Sequence, residues 1–420
     1  MTPEIKQRID KICHGEVPEG YQRTFLGIAP KSWDKSRIDK ICRLSSGSTP
    51  RRDAVENFAG DILWVTSGEL KRRTIEDTRE KISETAVVNS HLEIYDPGTV
   101  VIAIYGLEAA GIRGTVSIIG KQCTISQACM AFTEFKGIDN EFFYYWYLNN
   151  GQVIGLRYAQ GTKQQNLSTD IVGSFPICFP SQGEQQKIAT ILTTQDRVIE
   201  LKEKRLAEKQ RQKKYLMQQL LTGKKRLPGF YGAWSFPKAK ELFQSVSDKD
   251  HNGDLAVLSS TQDRGIVPRD EVDIDIKYDV CSLVNYKKVS KGNFVISLRS
   301  FQGGIEYSTY TGLVSPAYTV LSSRKEISDG YYKQFFKSTD YINRLNVAVY
   351  GIRDGKQISY EDFGRLRIPY PPIKEQDAIA KVLSTADHEI DLLQQDIEQE
   401  KQKKKALMQL LLTGIARVKT

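Results

Sequence analysis

Basic and amide side chains gather at polar turns in both halves of the chain. Side chains of these types are the ones with which proteins commonly contact DNA. Arginine matches the edge of guanine, glutamine and asparagine match adenine, and lysine neutralises phosphate. Any one of them is more often an ordinary solvated charge, but they recur at corresponding places beside glycine turns. The candidate DNA contacts are Arg51, Arg52, Lys71, Arg72, Arg73, Arg113, Lys163, Gln164, Gln165 and Asn166 in the first half, and Lys287, Lys288, Arg299, Ser300, Gln302, Arg353, Lys356 and Gln357 in the second.

Catalytic motifs are missing from the sequence. It contains no GxxxxGK phosphate loop, no HExxH, no GxSxG and no Asn/Asp-Pro-Pro-aromatic tetrad of amino-methyltransferases. The nearest nuclease-like run, Asp270–Lys277, is explained more simply as an acidic β segment. Six cysteines without a CxxC pair, and only four histidines, argue against a metal site. We expect a binding protein with no catalytic residue, metal ligand or cofactor of its own.

The charge balance favours an acidic partner. Lysine and arginine number 60 against 51 acidic residues, which gives a net charge of +9 and a pI near 9.0. Nucleic acid is the commonest such partner, although solubility alone could explain the excess. The sequence shows neither an N-terminal apolar stretch nor a run of 18 apolar residues, so we expect no signal peptide, no membrane span and a cytoplasmic location.

A duplicated segment determines the organisation of the chain. Residues 184–223 and 375–414 align without a gap, and 18 of the 40 aligned positions are identical. Both copies are rich in helix-forming residues, follow a proline and end at Gly223 or Gly414, so each predicts a helix about 60 Å long. Both carry a heptad seam, formed by Ile188, Leu192, Ile199, Leu206, Leu216 and Leu220 in the first copy and by Ile379, Leu383, Ile390, Leu393, Ile397, Leu407 and Leu411 in the second.

The two seams predict that the helices pair with each other as an antiparallel coiled coil, because neither can bury its apolar stripe alone and the linker between the halves is short. The alternative is two separate dimerisation helices. Four lysines interrupt the seam and could set its register or face a partner protein: Lys202, Lys209, Lys213 and Lys404.

The segments before the two helices diverge in sequence but keep common landmarks. Val100–Tyr105 parallels Phe294–Arg299, and the aromatic run Phe142–Tyr147 parallels Tyr331–Phe336. Short β runs, turns and a few helices predict an α+β domain in each half, with the aromatic runs in the core. The predicted parts are an N-terminal segment 1–19, domains at 20–180 and 233–372, helices at 181–223 and 373–414, a linker at 224–232 and a tail at 415–420.

These motifs resemble the specificity subunit of type I restriction–modification systems. The resemblance rests on the repeated pattern Pro-x-x-x-Glu-Gln with Leu-Met-Gln-x-Leu-Leu-Thr-Gly at the helix end, and on Gln160–Ser168, Arg299–Gly304 and Val314–Tyr318. It covers nearly the whole chain. The turn that begins at Gly351 departs from the usual Gly-Thr, so its contacts could differ from those of the first domain.

The resemblance implies a function in DNA recognition. Each globular domain would be a target-recognition domain that reads one half of a bipartite, asymmetric DNA sequence, and the helices would fix the spacer between the halves. Two adenine-methyltransferase subunits and a nuclease/translocase subunit would bind this chain. S-adenosylmethionine, ATP and Mg²⁺ would belong to those partners. The alternatives are a coiled-coil scaffold that does not recognise DNA, an orphan specificity subunit without a nuclease partner, and a fused enzyme, which the missing motifs disfavour.

Overall fold

The structure is a computed structural model that describes residues 2–104, 115–157, 167–272, 280–298, 300–348 and 358–418. The α-helices in these ranges are α1 Pro3–Cys13, α2 Ile38–Ile41, α3 Glu84–Asn89, α4 Asn140–Arg157, α5 Thr169–Gly173, α6 Gln182–Leu220, α7 Ala239–Leu242, α8 Ser300–Gly303, α9 Asp329–Phe335, α10 Thr339–Ala348, α11 Tyr360–Arg365 and α12 Ile373–Leu412. Short 3-10 turns lie at Val55–Phe58, Ser67–Glu69, Arg269–Glu271 and Val280–Asn285.

The strands of the first half are β1 Tyr21–Thr24, β2 Gly27–Pro30, β3 Asp34–Arg37, β4 Arg43–Ser46, β5 Ile62–Val65, β6 Thr74–Ile75, β7 Lys81–Ile82, β8 Val100–Ala103, β9 Val116–Ile119, β10 Cys123–Ile125, β11 Cys129–Thr133 and β12 Pro176–Phe179. Those of the second half are β13 Phe243–Val246, β14 Leu258–Thr261, β15 Gly265–Pro268, β16 Lys287–Val289, β17 Phe294–Ile296, β18 Glu306–Tyr307, β19 Gly312–Val314 and β20 Thr319–Ser323.

The chain divides into two compact units, and each long helix contributes to both. Unit 1 comprises Met1–Leu201 with Ile397–Thr420, and unit 2 comprises Lys202–Asp396. Each unit therefore contains one globular domain, one part of α6 and one part of α12. The mixture of sheets and helices confirms the predicted α+β class.

The domain of unit 1 is built around two sheets. One has five strands in the order β4-β11-β8-β9-β6, and the other has three in the order β10-β5-β7. Strand β8 is apolar throughout because both of its faces are covered: Val100 and Ile102 pack into the core beneath α4, while Val101 and Ala103 pack into the core beneath β5 and β10. All six side chains of the aromatic run, Phe142–Tyr147, are buried, as predicted. Helix α4 is apolar around this turn and a half because it is an internal helix.

The domain of unit 2 repeats this plan with a smaller sheet, ordered β13-β20-β17-β18. In strand β17, Phe294 and Ile296 face the larger core while Val295 faces a smaller one, the same alternation as in β8. The aromatic run here is also internal: Tyr331, Tyr332, Phe335 and Phe336 are all buried. The pairs β14-β15 and β16-β19 form separate two-stranded ribbons.

The long helices pair in an antiparallel way within each unit. In unit 1, Ile188 and Leu192 near the start of α6 pack with Leu411 near the end of α12. In unit 2, Leu220 at the end of α6 packs with Ile379 near the start of α12. The seam residues Ile188, Leu192, Ile199, Leu220, Ile379, Leu383, Ile390, Ile397 and Leu411 are buried, and Leu206, Leu216, Leu393 and Leu407 are half-buried.

Four ion pairs cross the seam between the two long helices in the described residues. Lys202 lies 2.8 Å from Asp396, Lys209 lies 2.6 Å from Glu389, and Lys404 lies 2.6 Å from Asp196. Lys213 pairs with Asp387. All four seam lysines thus contact the opposite helix, and a shift of one helical turn would separate each cation from its carboxylate.

Each long helix ends in a glycine turn against a tryptophan. Gly223 and Gly414 have φ angles of +72° and +69°. Residues other than glycine adopt this left-handed conformation only at a cost in free energy. A Cβ on Gly223 would meet the Trp234 ring at 3.1 Å, and one on Gly414 would meet Trp33 at 2.8 Å. Helix α6 ends at Leu220 and helix α12 ends at Leu412, so both stop slightly earlier than the predicted ends at residues 223 and 414.

Candidate nucleic-acid interface

Two buried glutamates, one at the start of each long helix, bind side chains from the segments that follow the ends of the long helices. Glu184, in the first turn of α6, accepts two hydrogen bonds from Arg417 at 2.8 and 2.7 Å. Glu375, in the first turn of α12, accepts two from Arg226 at 2.5 and 2.7 Å and one from the indole of Trp234 at 2.9 Å. Our sequence reading missed these residues. An extension of the repeat alignment by three residues would find the arginines, since Arg226 and Arg417 stand at matching positions after Gly223 and Gly414.

Two buried glutamines fix the helix starts to the domains. The Gln185 amide donates to the carbonyl of Pro180 at 2.8 Å and accepts from the backbone of Asp139 at 2.7 Å. Gln376 makes the equivalent bonds to Pro371 and Ser328, at 2.8 and 2.9 Å. These contacts explain the Glu-Gln pair of the repeated motif, and they hold each domain rigidly on its helix.

The Lys71–Arg73 turn is the best-placed basic segment among the described residues of unit 1. It joins the 3-10 turn at Ser67–Glu69 to strand β6. The carbonyls of Arg72 and Arg73 accept hydrogen bonds from Ser117 Oγ and the Ile118 amide of β9, both at 2.7 Å. The side chains of Lys71 and Arg72 are exposed, so a well-anchored backbone presents two cations to solvent.

Arg73 faces inward, unlike its two neighbours. Its guanidinium pairs with Glu141 in the first turn of α4 and lies 4.0 Å from Asp196 of α6. Burial acts to lower the pKa of Arg73, but the hydrogen bond to Glu141 raises it, with a net result above the usual value. Arg73 is therefore left out of the proposed DNA contacts.

Arg51 and Arg52 are exposed but already hold internal partners. Arg51 donates to Asp53 at 2.7 Å, and Arg52 donates to Glu80 at 2.9 Å. The Arg52 guanidinium also lies 4.6 Å from the centre of the Phe58 ring. The hydrogen bond to Arg52 lowers the pKa of Glu80, so the carboxylate stays charged at neutral pH. A phosphate would have to compete with these carboxylates.

The remaining candidates of unit 1 lie outside the described residues. Arg113 belongs to residues 105–114, and Lys163, Gln164, Gln165 and Asn166 belong to residues 158–166. The described chain stops at Ile104 before the first segment and resumes at Leu167 after the second. The Leu167 amide donates to the Ile104 carbonyl at 3.1 Å, so these two described residues are in contact.

In unit 2, two candidate lysines are engaged with the protein. Lys287 donates to the carbonyl of Tyr318 at 2.7 Å. Burial lowers the pKa of Lys287, and repulsion from Lys249 lowers it further. Lys288 lies 3.8 Å from Asp248. Both are only half-buried, so either cation could exchange its partner for a phosphate.

Ser300 and Gln302 have opposite environments. The Ser300 side chain is 1% exposed and its hydroxyl accepts from the Ser297 amide at 2.8 Å, so it stabilises the start of α8 and is left out of the proposed contacts. Gln302 is exposed. Arg299, Arg353, Lys356 and Gln357 lie outside the described residues.

Two further properties of the described chain bear on its chemistry. No group of three or more His, Cys, Asp or Glu side chains in these ranges is placed to hold a metal ion. Among the described helices, none has the length and apolar character needed to span a membrane.

The sequence is similar to specificity subunits of type I restriction enzymes. The chain is 30% identical over 188 residues to the MjaIX specificity subunit of Methanocaldococcus jannaschii, a type I restriction enzyme subunit, which covers 44% of this chain and 42% of that protein. It is 23% identical over 419 residues to the MjaVIII specificity subunit from the same organism, which covers 93% of this chain and 94% of that one. The match thus spans less than half of the first relative and nearly all of the second.

Solved structures share the fold. The type I restriction–modification S subunit from M. genitalium superposes with a TM-score of 0.55 at 15% identity, over 90% of this chain and 96% of that one. A chain from a study of complex assembly and conformational transition in the type I R-M system gives 0.57 at 16% identity, over 92% and 99%. The sequence also matches the family described as the type I restriction modification DNA specificity domain twice, over residues 30–211 and 233–402. Since these matches cover most of the chain, it belongs to the family of type I restriction–modification specificity subunits, with two recognition domains.

Proposed function

We propose that this chain selects the DNA sequence on which a type I restriction–modification enzyme acts. Its two domains would each read one half of a bipartite, asymmetric target in double-stranded DNA. The observation that supports this most is the contrast between the parts. The ion pair Asp196–Lys404 recurs 191 positions away as Asp387–Lys213, while the domains differ in sequence and sheet size. Diverged domains on a repeated frame suit two different half-sites and one repeated partner.

The proposed DNA contacts combine the exposed described residues with the candidates outside the described ranges. In the first domain they are Lys71 and Arg72, with Arg51, Arg52, Arg113 and the Lys163–Asn166 segment. In the second they are Gln302, Lys287 and Lys288, with Arg299, Arg353, Lys356 and Gln357. Lysines would position the duplex through its phosphates, and arginine, glutamine and asparagine would contact base edges.

The paired helices would determine the spacer between the half-sites. Each is long and continuous, and the ion pairs across the seam allow a single register. A fixed register would hold the domains at a set distance along the DNA.

The same frame would bind the catalytic partners. We propose two copies of an adenine-methyltransferase subunit, one for each repeat, and a nuclease/translocase subunit. S-adenosylmethionine, ATP and Mg²⁺ would bind to those subunits, and this chain would perform no catalytic step. An orphan subunit that directs methylation alone is the second candidate, and it differs only in lacking the nuclease partner.

Composition and binding of the purified complex test this proposal. The chain would be co-expressed with a type I methyltransferase subunit, and native mass spectrometry would count the subunits. The complex would then select duplexes from a random DNA library. We expect one copy of this chain with two methyltransferase copies, and one split motif among the selected duplexes. A stable complex that selects no motif would support a scaffold that does not recognise DNA.

A further inference from the structure

We infer that Arg73 positions the Lys71–Arg72 turn on the helix pair of unit 1 and does not itself contact DNA. This inference rests on the proposed DNA-recognition function. It separates three consecutive basic residues into two that meet the DNA and one that holds them in place.

The side-chain directions give the first argument. The side chains of Lys71 and Arg72 are exposed to solvent, whereas only 28% of the Arg73 side chain is exposed. The Arg73 guanidinium carbon lies 5.6 Å from the centre of the Tyr144 ring, on the same helix as its ion-pair partner Glu141. A guanidinium between a carboxylate and an aromatic ring is held in one orientation.

The second argument is that the contacts continue across the helix pair. Asp196, which lies 4.0 Å from Arg73, accepts a hydrogen bond from the Tyr145 hydroxyl at 2.7 Å. The other Asp196 oxygen lies 2.6 Å from the ammonium group of Lys404 on α12. Helices α4, α6 and α12 therefore meet around one carboxylate, and Arg73 joins the DNA-facing turn to that meeting point.

Unit 2 provides a natural comparison. Asp387 is the counterpart of Asp196, and it pairs with Lys213 and accepts from the Gln334 amide at 2.6 Å. Gln334 takes the place of Tyr145. Within the described residues, the partners of Asp387 are Lys213 and Gln334, and neither belongs to a basic turn. The link from turn to helix pair is thus a property of the first domain, so its loss should affect one half-site.

DNA affinity of the methyltransferase complex tests the inference through a double-mutant cycle. The variants are R73Q, the pair K71A/R72A, and all three together, measured on the selected target duplex over a range of salt. K71A/R72A should lower the affinity and reduce the salt slope by about two, one for each lost phosphate contact. R73Q alone should weaken binding about five- to tenfold. In the K71A/R72A background it should change affinity less than about twofold, because the turn that it positions no longer binds.

Two conservative variants distinguish positioning from direct contact. R73K keeps a cation near Glu141 and Asp196 and should recover most of the affinity. E141Q should weaken binding, because it loosens Arg73. If Arg73 contacted DNA directly, removing a competing carboxylate would strengthen binding instead. Thermal melting of each variant would show whether it folds, and K213M serves as a control in unit 2 that should leave the first half-site unaffected.

The outcomes separate the inference from the proposed function. An R73Q effect that persists unchanged in the K71A/R72A background would overturn the positioning role while leaving DNA recognition intact. If K71A/R72A left both affinity and salt slope unaltered, the turn would not bind DNA, and the inference would fall together with this part of the proposed interface.

Discussion

Asp196 of α6 and Lys404 of α12 form an ion pair at 2.6 Å, and their counterparts 191 positions away, Asp387 and Lys213, form the same pair in the second unit. The carboxylate belongs to α6 in one unit and to α12 in the other. This exchange is what two antiparallel copies of one helix must produce. At this position the repeat in the sequence is therefore also a repeat of contacts.

Removing these ion pairs should loosen the helix pair without unfolding it. A double-mutant cycle with K404M and D196N should give a coupling of about 0.5–1.5 kcal/mol, since both side chains are about one-fifth exposed. The matched cycle at Lys213 and Asp387 should give a similar value. Urea unfolding of the four proteins in each cycle measures it, and a coupling near zero in both units would show that the lysines do not set the register.

Loss of the Arg417 side chain should destabilise the protein more than loss of Arg226. Each arginine satisfies a buried glutamate, and an unpaired buried carboxylate costs about 2–4 kcal/mol. Glu375 would keep its hydrogen bond from Trp234 in R226A, whereas in R417A Glu184 would keep only the backbone amide of Val418, at 3.3 Å.

Urea denaturation of R417A and R226A measures this difference. R51A is the matched control, because Arg51 and its partner Asp53 are both largely exposed, and its unfolding midpoint should not move. Equal midpoints for R417A and the unmodified protein would contradict the role given to Glu184.

Lengthening both helices should lengthen the spacer of the DNA target. Seven residues inserted after Leu206 and seven after Asp391 would add one heptad between the ion pair Lys202–Asp396 and the ion pair Lys209–Glu389. The added rise is about 10 Å, which corresponds to roughly three base pairs. Sequencing the methylated sites would show the same half-sites farther apart. An unchanged spacer would contradict the measuring role, and insertion into α6 alone is the control that should destabilise the pair.

Buried cysteines should resist modification in the native protein. Burial raises the pKa of Cys42, Cys123 and Cys129 to about 12, so at pH 8 only about one thiol in ten thousand is ionised. Cys13 is exposed on α1. Alkylation followed by peptide mass spectrometry should label Cys13 within minutes and the other three only after denaturant is added. Labelling of Cys129 as fast as Cys13 would contradict the packing described for β11.

The long helices could be predicted because their signals are local and repeated. The heptad seam, the prolines at the start and the glycines at the end are each visible within a few residues, and the antiparallel pairing follows from the short linker. The burial of the aromatic runs could be predicted for a similar reason, since so much apolar area must be covered.

The candidate site was less predictable because exposure depends on contacts distant in sequence. Lys71, Arg72 and Arg73 look alike in the sequence, and only the position of Glu141 and Asp196 separates the third from the others. Ser300 likewise resembles an exposed turn residue in the sequence. In the structure it is buried, and its hydroxyl accepts a hydrogen bond from the Ser297 amide. Strand order had no sequence signal. Helix α1, which has no buried residue, lies in the predicted N-terminal segment 1–19, to which the sequence analysis assigns no secondary structure.

Single-molecule sequencing of DNA from cells that express this chain with its methyltransferase subunit tests the central claim most directly. The account predicts methyladenine at one asymmetric, split motif, and replacement of residues 20–180 by the domain of another family member should change one half of that motif only. Methylation without a split motif, or a change in both halves after the replacement, would contradict recognition by two independent domains.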